Sequence, residues 1–406
     1  MVEESASPEG RVGGRPYAVR MTYPSPLSQP GSADPPRIST APQAAVSAVP
    51  PRSRRGGVAL WIVAVLLVPL LALLVRYFTG FLGTAASFIG LVLAVIPFVF
   101  VWFAVRYIDR WEPEPRRLLV FAVAWGAIAS VTIALGVDLV VTLVLGPQPA
   151  AFSSVIQAPI VEELAKGLGV LLIFGLARRA FDGPVDGIVY GALIGAGFAL
   201  TENVQYFAIS YLEGGPGQVA STFFLRAVLS PFAHVMFTSL TGFAFGLAAR
   251  RGLRAGAALR YGVPGIIGAI VLHALWNGSA TFFDFFELYA ALQVPLVVLF
   301  LLGILALRRE ESRLTRARLG EYAAAGWFTP QEVDMLATAP GRRSALAWSR
   351  TLPGDRSSVM KGFITDATAL AAARQRTLSG RDPHAPATER YLLERTTAAR
   401  AALLRP

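Results

Sequence analysis

Of 406 residues, 54% are hydrophobic and 16% charged, whereas soluble domains carry about 25% charged residues; with a mean hydropathy of +0.52, this excludes an ordinary soluble protein. There is no cysteine, which removes disulfides, thiolate nucleophiles and Cys metal sites together. The net charge of +11 would suit nucleic acid, but the arginines sit in loops and tails, where they orient membrane spans, so no nucleic-acid partner is expected.

Residues 1–57 are rich in Pro, Ser, Ala and Gly with almost no aliphatic clusters, the composition of a disordered tail. The tail has no apolar core, so it does not read as a signal peptide. Eight apolar segments follow, at 57–76, 82–105, 118–146, 151–177, 184–209, 219–249, 262–283 and 289–307. Each exceeds the roughly 17 residues that cross the hydrocarbon layer as a helix. Gly136 and Asp138 predict an interruption in the third.

Arginines flank the segments on alternate sides. Arg52, Arg54 and Arg55 precede the first, and "RYIDRWEPEPRR" follows the second. Arg178 and Arg179 follow the fourth, Arg250, Arg251, Arg254 and Arg260 the sixth, and Arg308 and Arg309 the eighth. The other loops, "GPQPAA", "SYLEGGPGQ" and "DFFELY", carry neither Lys nor Arg, and the first of that set has only Arg76. The positive-inside rule then gives an all-α polytopic protein of the plasma membrane, with about eight spans and both termini cytoplasmic. Residues 308–406 read as a soluble cytoplasmic tail, partly helical, in which Thr329 caps a short helix opened by Pro330. The intervening residues 58–307 form the membrane domain.

The fourth segment contains "PIVEELAKGLG", with Glu162, Glu163 and Lys166 inside two helical turns. An ionisable group at mid-membrane costs at least ~2.5 kcal/mol. Glu162 and Lys166 are four apart and share a helix face, which accounts for one carboxylate and leaves Glu163, about 100° around, without a partner. The fifth segment adds Glu202, Asn203 and Tyr206, the sixth Arg226 and His234, and the seventh His273 and Asn277. At ~1.5 Å per residue from the outer ends, Glu162 and Glu163 lie ~15–18 Å deep, Glu202 ~12 Å, His273 ~15 Å, Asn277 ~9 Å and His234 ~20 Å. All four segments thus present polar groups in one outer-to-middle layer. Gly187, Gly191 and Gly195 at four-residue spacing allow close helix approach, and Pro159 and Pro231, beside the Glu pair and His234, open the helices there.

Carboxylates with imidazoles and no cysteine point to water activation, with a Glu as base and His or Asn side chains on the oxyanion. A second route stays open, in which Glu163, His234 and His273 hold Zn²⁺ and the other Glu is the base. A proton-coupled transporter would use the same residues as a relay, but would carry paired broken helices in two halves, and the sequence has none.

At these residues the sequence resembles the PrsW family of intramembrane proteases, itself distantly similar to the CAAX-type prenyl endopeptidases. "PIVEELAK" is similar to its Glu-Glu motif, "DGIVYGALIGAGFALTENVQY" to its fifth-helix signature and "DRWEPEP" to its loop after the second helix; His234 and "HALWN" correspond to its later His motifs. The resemblance spans about residues 60–305. It implies an intramembrane endopeptidase acting on a single-span membrane protein of the anti-sigma-factor kind, with the lipid bilayer as its medium. It assigns catalysis to Glu162, Glu163, Glu202, His234, His273 and Asn277, with Lys166, Asn203 and Arg226 in support. Of the Glu pair, Glu163 is the expected base. Ser230 stands where the prenyl endopeptidases have Phe, and Lys166 replaces the Arg of their motif one position later, so prenyl-Cys specificity is not expected.

Overall fold

The computed structural model describes residues 54–282, 285–380 and 382–405. The expected tail at 1–57 lies outside these residues except for its last four. Every described element is helical. The long helices up to residue 324 are α1 (Arg54–Phe81), α2 (Thr84–Ile108), α3 (Arg116–Leu145), α4 (Ala158–Leu176), α5 (Pro184–Phe223), α6 (Ala233–Arg250), α7 (Ala255–Phe282) and α8 (Val294–Ala324). Six stretches, Val58–Phe81, Thr84–Ile108, Arg116–Leu145, Pro184–Arg250, Ala255–Phe282 and Phe286–Ala324, are long and apolar enough to cross a membrane. Helix α4 is not among them, because Glu162, Glu163 and Lys166 interrupt its apolar run.

The Pro184–Arg250 stretch folds back on itself. Gly215 adopts φ +62°, a conformation open to glycine at little cost, and kinks the end of α5. The chain then passes through a π-helical turn, Phe224–Leu229, and breaks at Ser230–Phe232 before α6. The sixth apolar segment is therefore not one helix: Pro231 lies in the break, three residues before His234. Helices α5 and α6 run antiparallel in tight register. A Cβ on Gly187, Gly191 or Gly195 would fall 2.0 Å from the carbonyl oxygen of Gly242, 2.5 Å from that of Thr238 and 2.3 Å from that of His234. The glycine stripe packs α5 on α6 backbone to backbone, as its spacing predicts.

The interruption expected at Gly136 and Asp138 is absent. Residues 131–145 are regular helix, and the irregular turn of α3 is π-helical, at Trp125–Ser130. Gly136 has open space where its side chain would be, so no neighbour forces a break. Asp138 is met from the next helical segment, accepting from Gln157 Nε2 at 2.9 Å.

The loop "DRWEPEP" is tied beneath the bundle. Tyr190 of α5 donates to Glu114 Oε2 at 2.5 Å, and the Glu114 N–H donates to Asp109 Oδ1 at 3.1 Å. Burial pushes the Glu114 carboxyl well above the usual carboxylate range, and burial together with Asp182 pushes Glu112 up to about 8.

Helix α8 runs unbroken past residue 307 into a second, separate core. Leu319, Tyr322, Phe328, Leu336, Phe363, Leu370 and Leu393 are buried there, joined by α9 (Pro330–Leu336), α10 (Ala339–Thr351), α11 (Ser357–Ser379) and α12 (Ala385–Leu404). Thr329 caps α9 as its sequence predicts: its hydroxyl accepts from Glu332 N–H at 3.2 Å, and Glu332 Oε2 accepts from Thr329 N–H at 2.7 Å. This bundle rests on the loops that join the membrane helices. Arg376 pairs with Asp182, Arg179 with Asp382 at 3.2 Å, and the Arg342 guanidinium lies 3.5 Å from the Trp111 ring centre.

Candidate active site

Glu162, Glu163 and Lys166 lie on the buried side of α4. Lys166 sits three residues after one carboxylate and four after the other, so one flexible ammonium reaches both. Its Nζ donates to Glu162 Oε2 at 3.0 Å and to Glu163 Oε1 at 2.8 Å. The expectation that Glu163 lacks a partner is thereby corrected. A third bond runs from Nζ to His234 Nδ1 on α6, at 3.1 Å, and the Phe198 ring of α5 lies 3.7 Å away. Lys166 is wholly buried, and an uncompensated charge there would be strongly destabilising; three acceptors match its three N–H donors.

The remaining groups close around this centre. Glu163 Oε1 also meets His273 Nδ1 at 3.1 Å, and its Oε2 accepts from Thr238 Oγ1 at 3.1 Å. Both Glu163 oxygens are therefore engaged. Glu162 differs: its bond to Lys166 uses Oε2, which also stands 4.0 Å from His273 Nε2. That separation is too long for a hydrogen bond and suits one bridging water. The His273 ring stacks on Phe237, centroids 4.7 Å apart, which fixes its plane.

His234 is held from both sides. Lys166 can only donate, so Nδ1 accepts, and Nε2 carries the proton toward Glu202 Oε2 at 2.9 Å. Glu202 is paired in turn with Arg226, whose Nε donates to Asn203 Oδ1 at 2.6 Å and whose guanidinium lies 3.8 Å from the Tyr206 ring centre. Arg226 and Glu202 are only partly buried. The structure thus brings Glu162, Glu163, Lys166, Glu202, Asn203, Arg226, His234 and His273 into one continuous network. Asn277 stands apart from it: its Nδ2 donates to the Ser154 carbonyl at 2.8 Å, within the π-helical turn Ser153–Gln157 that leads into α4.

Several contributors were not singled out from the sequence. Thr238 is four residues after His234, and Phe198 four before Glu202, so helical spacing from the charged residues would have pointed to both. Trp125 offers no such signal. Its indole donates to the Ala165 carbonyl at 3.0 Å and fills the notch at Gly169, where a Cβ would lie 2.2 Å from the ring, locking α3 against α4.

The ligand atoms of Glu162, Glu163, His234 and His273 lie within 4.8 Å of one another, so this buried cluster could hold a metal ion. Its donor types suit zinc. The seat between them is filled, however, by the Lys166 ammonium, which takes up oxygens of both carboxylates and the lone pair of His234 Nδ1. In this arrangement the cluster does not fit a metal.

Residues 114–303, which contain all of these groups, match a family described as PrsW family intramembrane metalloprotease. These residues are similar to that family. With six stretches long and apolar enough to cross a membrane, the chain fits a multi-pass membrane protein. Similar curated proteins are each named Protease PrsW. That of Geobacillus kaustophilus is 32% identical over 34% of this chain and 58% of its own length. That of Clostridioides difficile is 33% identical over 37% and 62%, and that of Bacillus subtilis 33% over 24% and 40%. The chain thus spans about three-fifths or less of the length of these relatives. No solved structure matches. Nothing in the fold or in these relatives favours a proton-coupled transporter.

Proposed function

We propose that the chain carries a PrsW-family domain, an intramembrane endopeptidase that hydrolyses peptide bonds of single-span, membrane-anchored proteins of the anti-sigma-factor kind. The observation that carries this reading is the 4.0 Å gap between Glu162 Oε2 and His273 Nε2, beside a Glu163 carboxylate whose two oxygens are both engaged. A water seated across the gap touches a carboxylate with spare basic capacity and an imidazole. Glu162 removes a proton as the water oxygen bonds to the scissile carbonyl carbon. The C–N bond then breaks, and the same proton passes from Glu162 to the leaving nitrogen. Glu163 is wholly engaged in fixing Lys166, His273 and Thr238, so the base role falls to Glu162 in this reading. Asn277 holds one N–H on Ser154 and keeps a second for the oxyanion. No step uses Zn²⁺.

In this reading the membrane domain crosses the plasma membrane eight times, both termini are cytoplasmic, and the site opens toward the outer leaflet. Helix α4 then crosses despite its three charges because each is paired. The activity is tested with the full chain in liposomes carrying single-span substrates: cleavage in or beside the span is expected. Full cleavage by a Glu162→Gln, Glu163→Gln double variant would place the chemistry elsewhere.

The orientation is tested independently, since the absence of cysteine makes single replacements clean reporters. Pro147→Cys, in the loop after α3, should react with an impermeant maleimide on intact cells. Arg254→Cys, in the loop after α6, should react only once the membrane is opened. The reverse pattern would invert the topology read from the arginines.

A further inference from the structure

We propose that Lys166 is the resident cation of the cluster, occupying the seat of a divalent metal, so that a neutral side chain at position 166 unmasks a latent metal site. The inference rests on the assignment of this cluster as the hydrolytic centre. Its readout is metal uptake, which does not depend on cleavage.

The geometry is that of a coordinated ion. Two carboxylate oxygens and one imidazole nitrogen converge on Nζ at 3.0, 2.8 and 3.1 Å, while Phe198 places its π face 3.7 Å away. These three acceptors are the donor types that bind Zn²⁺. They surround one point and face inward, and His273 adds a second imidazole within the same compass. Zinc bonds of about 2.0–2.2 Å would need each donor to move inward by roughly 1 Å. A metal and the ammonium cannot share the seat, because both are cations and both need the His234 Nδ1 lone pair. Beyond the seat, Glu202 fixes His234 through Nε2 at 2.9 Å, the outer carboxylate that orients a metal-binding imidazole. The set is therefore complete apart from the position that Lys166 fills.

Charge points the same way. The network holds three carboxylates, Glu162, Glu163 and Glu202, against two fixed cations, Lys166 and Arg226. Replacing Lys166 by an apolar residue leaves one cation for three carboxylates, in a pocket with few exposed atoms. A divalent ion restores the balance.

The test compares purified full-length wild type, Lys166→Leu, Lys166→Arg and Lys166→Leu combined with Glu163→Gln. Each is equilibrated with Zn²⁺ or Co²⁺, dialysed and assayed for metal content, with the Co²⁺ visible spectrum as a second readout. Wild type and Lys166→Arg should retain no stoichiometric metal. Lys166→Leu should retain about one equivalent and show a tetrahedral Co²⁺ band, and the added Glu163→Gln should remove both signals. Should Lys166→Leu alone fail to fold, the charge-balanced Glu162→Gln, Lys166→Leu variant replaces it, keeping Glu163, His234 and His273 as ligands. A wild type that carries one equivalent of metal overturns the proposal, and so does a folded leucine variant that binds no more metal than wild type. Absence of cleavage by wild type would overturn the proposed activity and leave the uptake result standing.

Discussion

Glu162→Gln should reduce peptide cleavage by at least 10²-fold while leaving the protein folded and monodisperse. Glutamine keeps the size of the side chain and can still accept a hydrogen bond from Lys166, but it cannot take a proton from water, and general-base catalysis contributes typically 10²–10⁴-fold. Glu163→Gln should also abolish cleavage, with a different signature. Its carboxylate joins Lys166, His273 and Thr238 across three helices. Loss of its charge weakens a buried pair whose rupture costs about 3–5 kcal/mol, so a clear drop in melting temperature should accompany the lost activity. Measuring cleavage and thermal unfolding on both variants separates the roles. Equal destabilisation with retained cleavage in Glu162→Gln would remove it as the base and return that role to Glu163.

The clustering of these charged groups was legible because membranes make charge conspicuous. Carboxylates, imidazoles and a lysine in apolar segments stand out against a background that penalises them, and spacing alone placed them at similar depth. What could not be read was the sharing of partners. Lys166 lies within reach of both glutamates on any helix, yet only the packing of α6 against α4 adds His234 as its third acceptor. Nor does sequence reveal which carboxylate is saturated, since that depends on Thr238 and His273 arriving from two other helices. Helix irregularity was legible at Pro231, where a chemical cause exists. It was not legible at Trp125–Ser130, where "WGAIAS" has no proline and the π turn accommodates docking of the indole at Gly169. Gly136 gave the opposite error: a glycine in a membrane helix is ordinary and breaks nothing by itself.

Gly195→Ala should cost both stability and activity, although no glycine takes part in the chemistry. The added Cβ would lie 2.3 Å from the His234 carbonyl oxygen and 2.7 Å from its carbonyl carbon. Both are backbone atoms of α6, so no rotamer change relieves the clash, and the helices must separate there by roughly 1 Å to reach ordinary contact. Overpacking of this kind costs typically 1–3 kcal/mol. It also acts at the site, because the His234–Glu202 bond of 2.9 Å joins these same two helices. A misplacement of about 1 Å can lower a rate by about 10²-fold, and the imidazole would be drawn from Lys166 and Glu202 together. Gly187→Ala, two turns away against Gly242 at 2.0 Å, should destabilise about as much but slow cleavage less, since the separation is absorbed farther from His234. Gly175→Ala on α4 serves as the control: its added methyl meets open space, and alanine favours a helix interior by up to about 1 kcal/mol. Cleavage rate and melting temperature for the three variants test the ordering. If Gly195→Ala matched Gly175→Ala in both, the close approach of α5 and α6 would not be what holds His234 in register with Glu202.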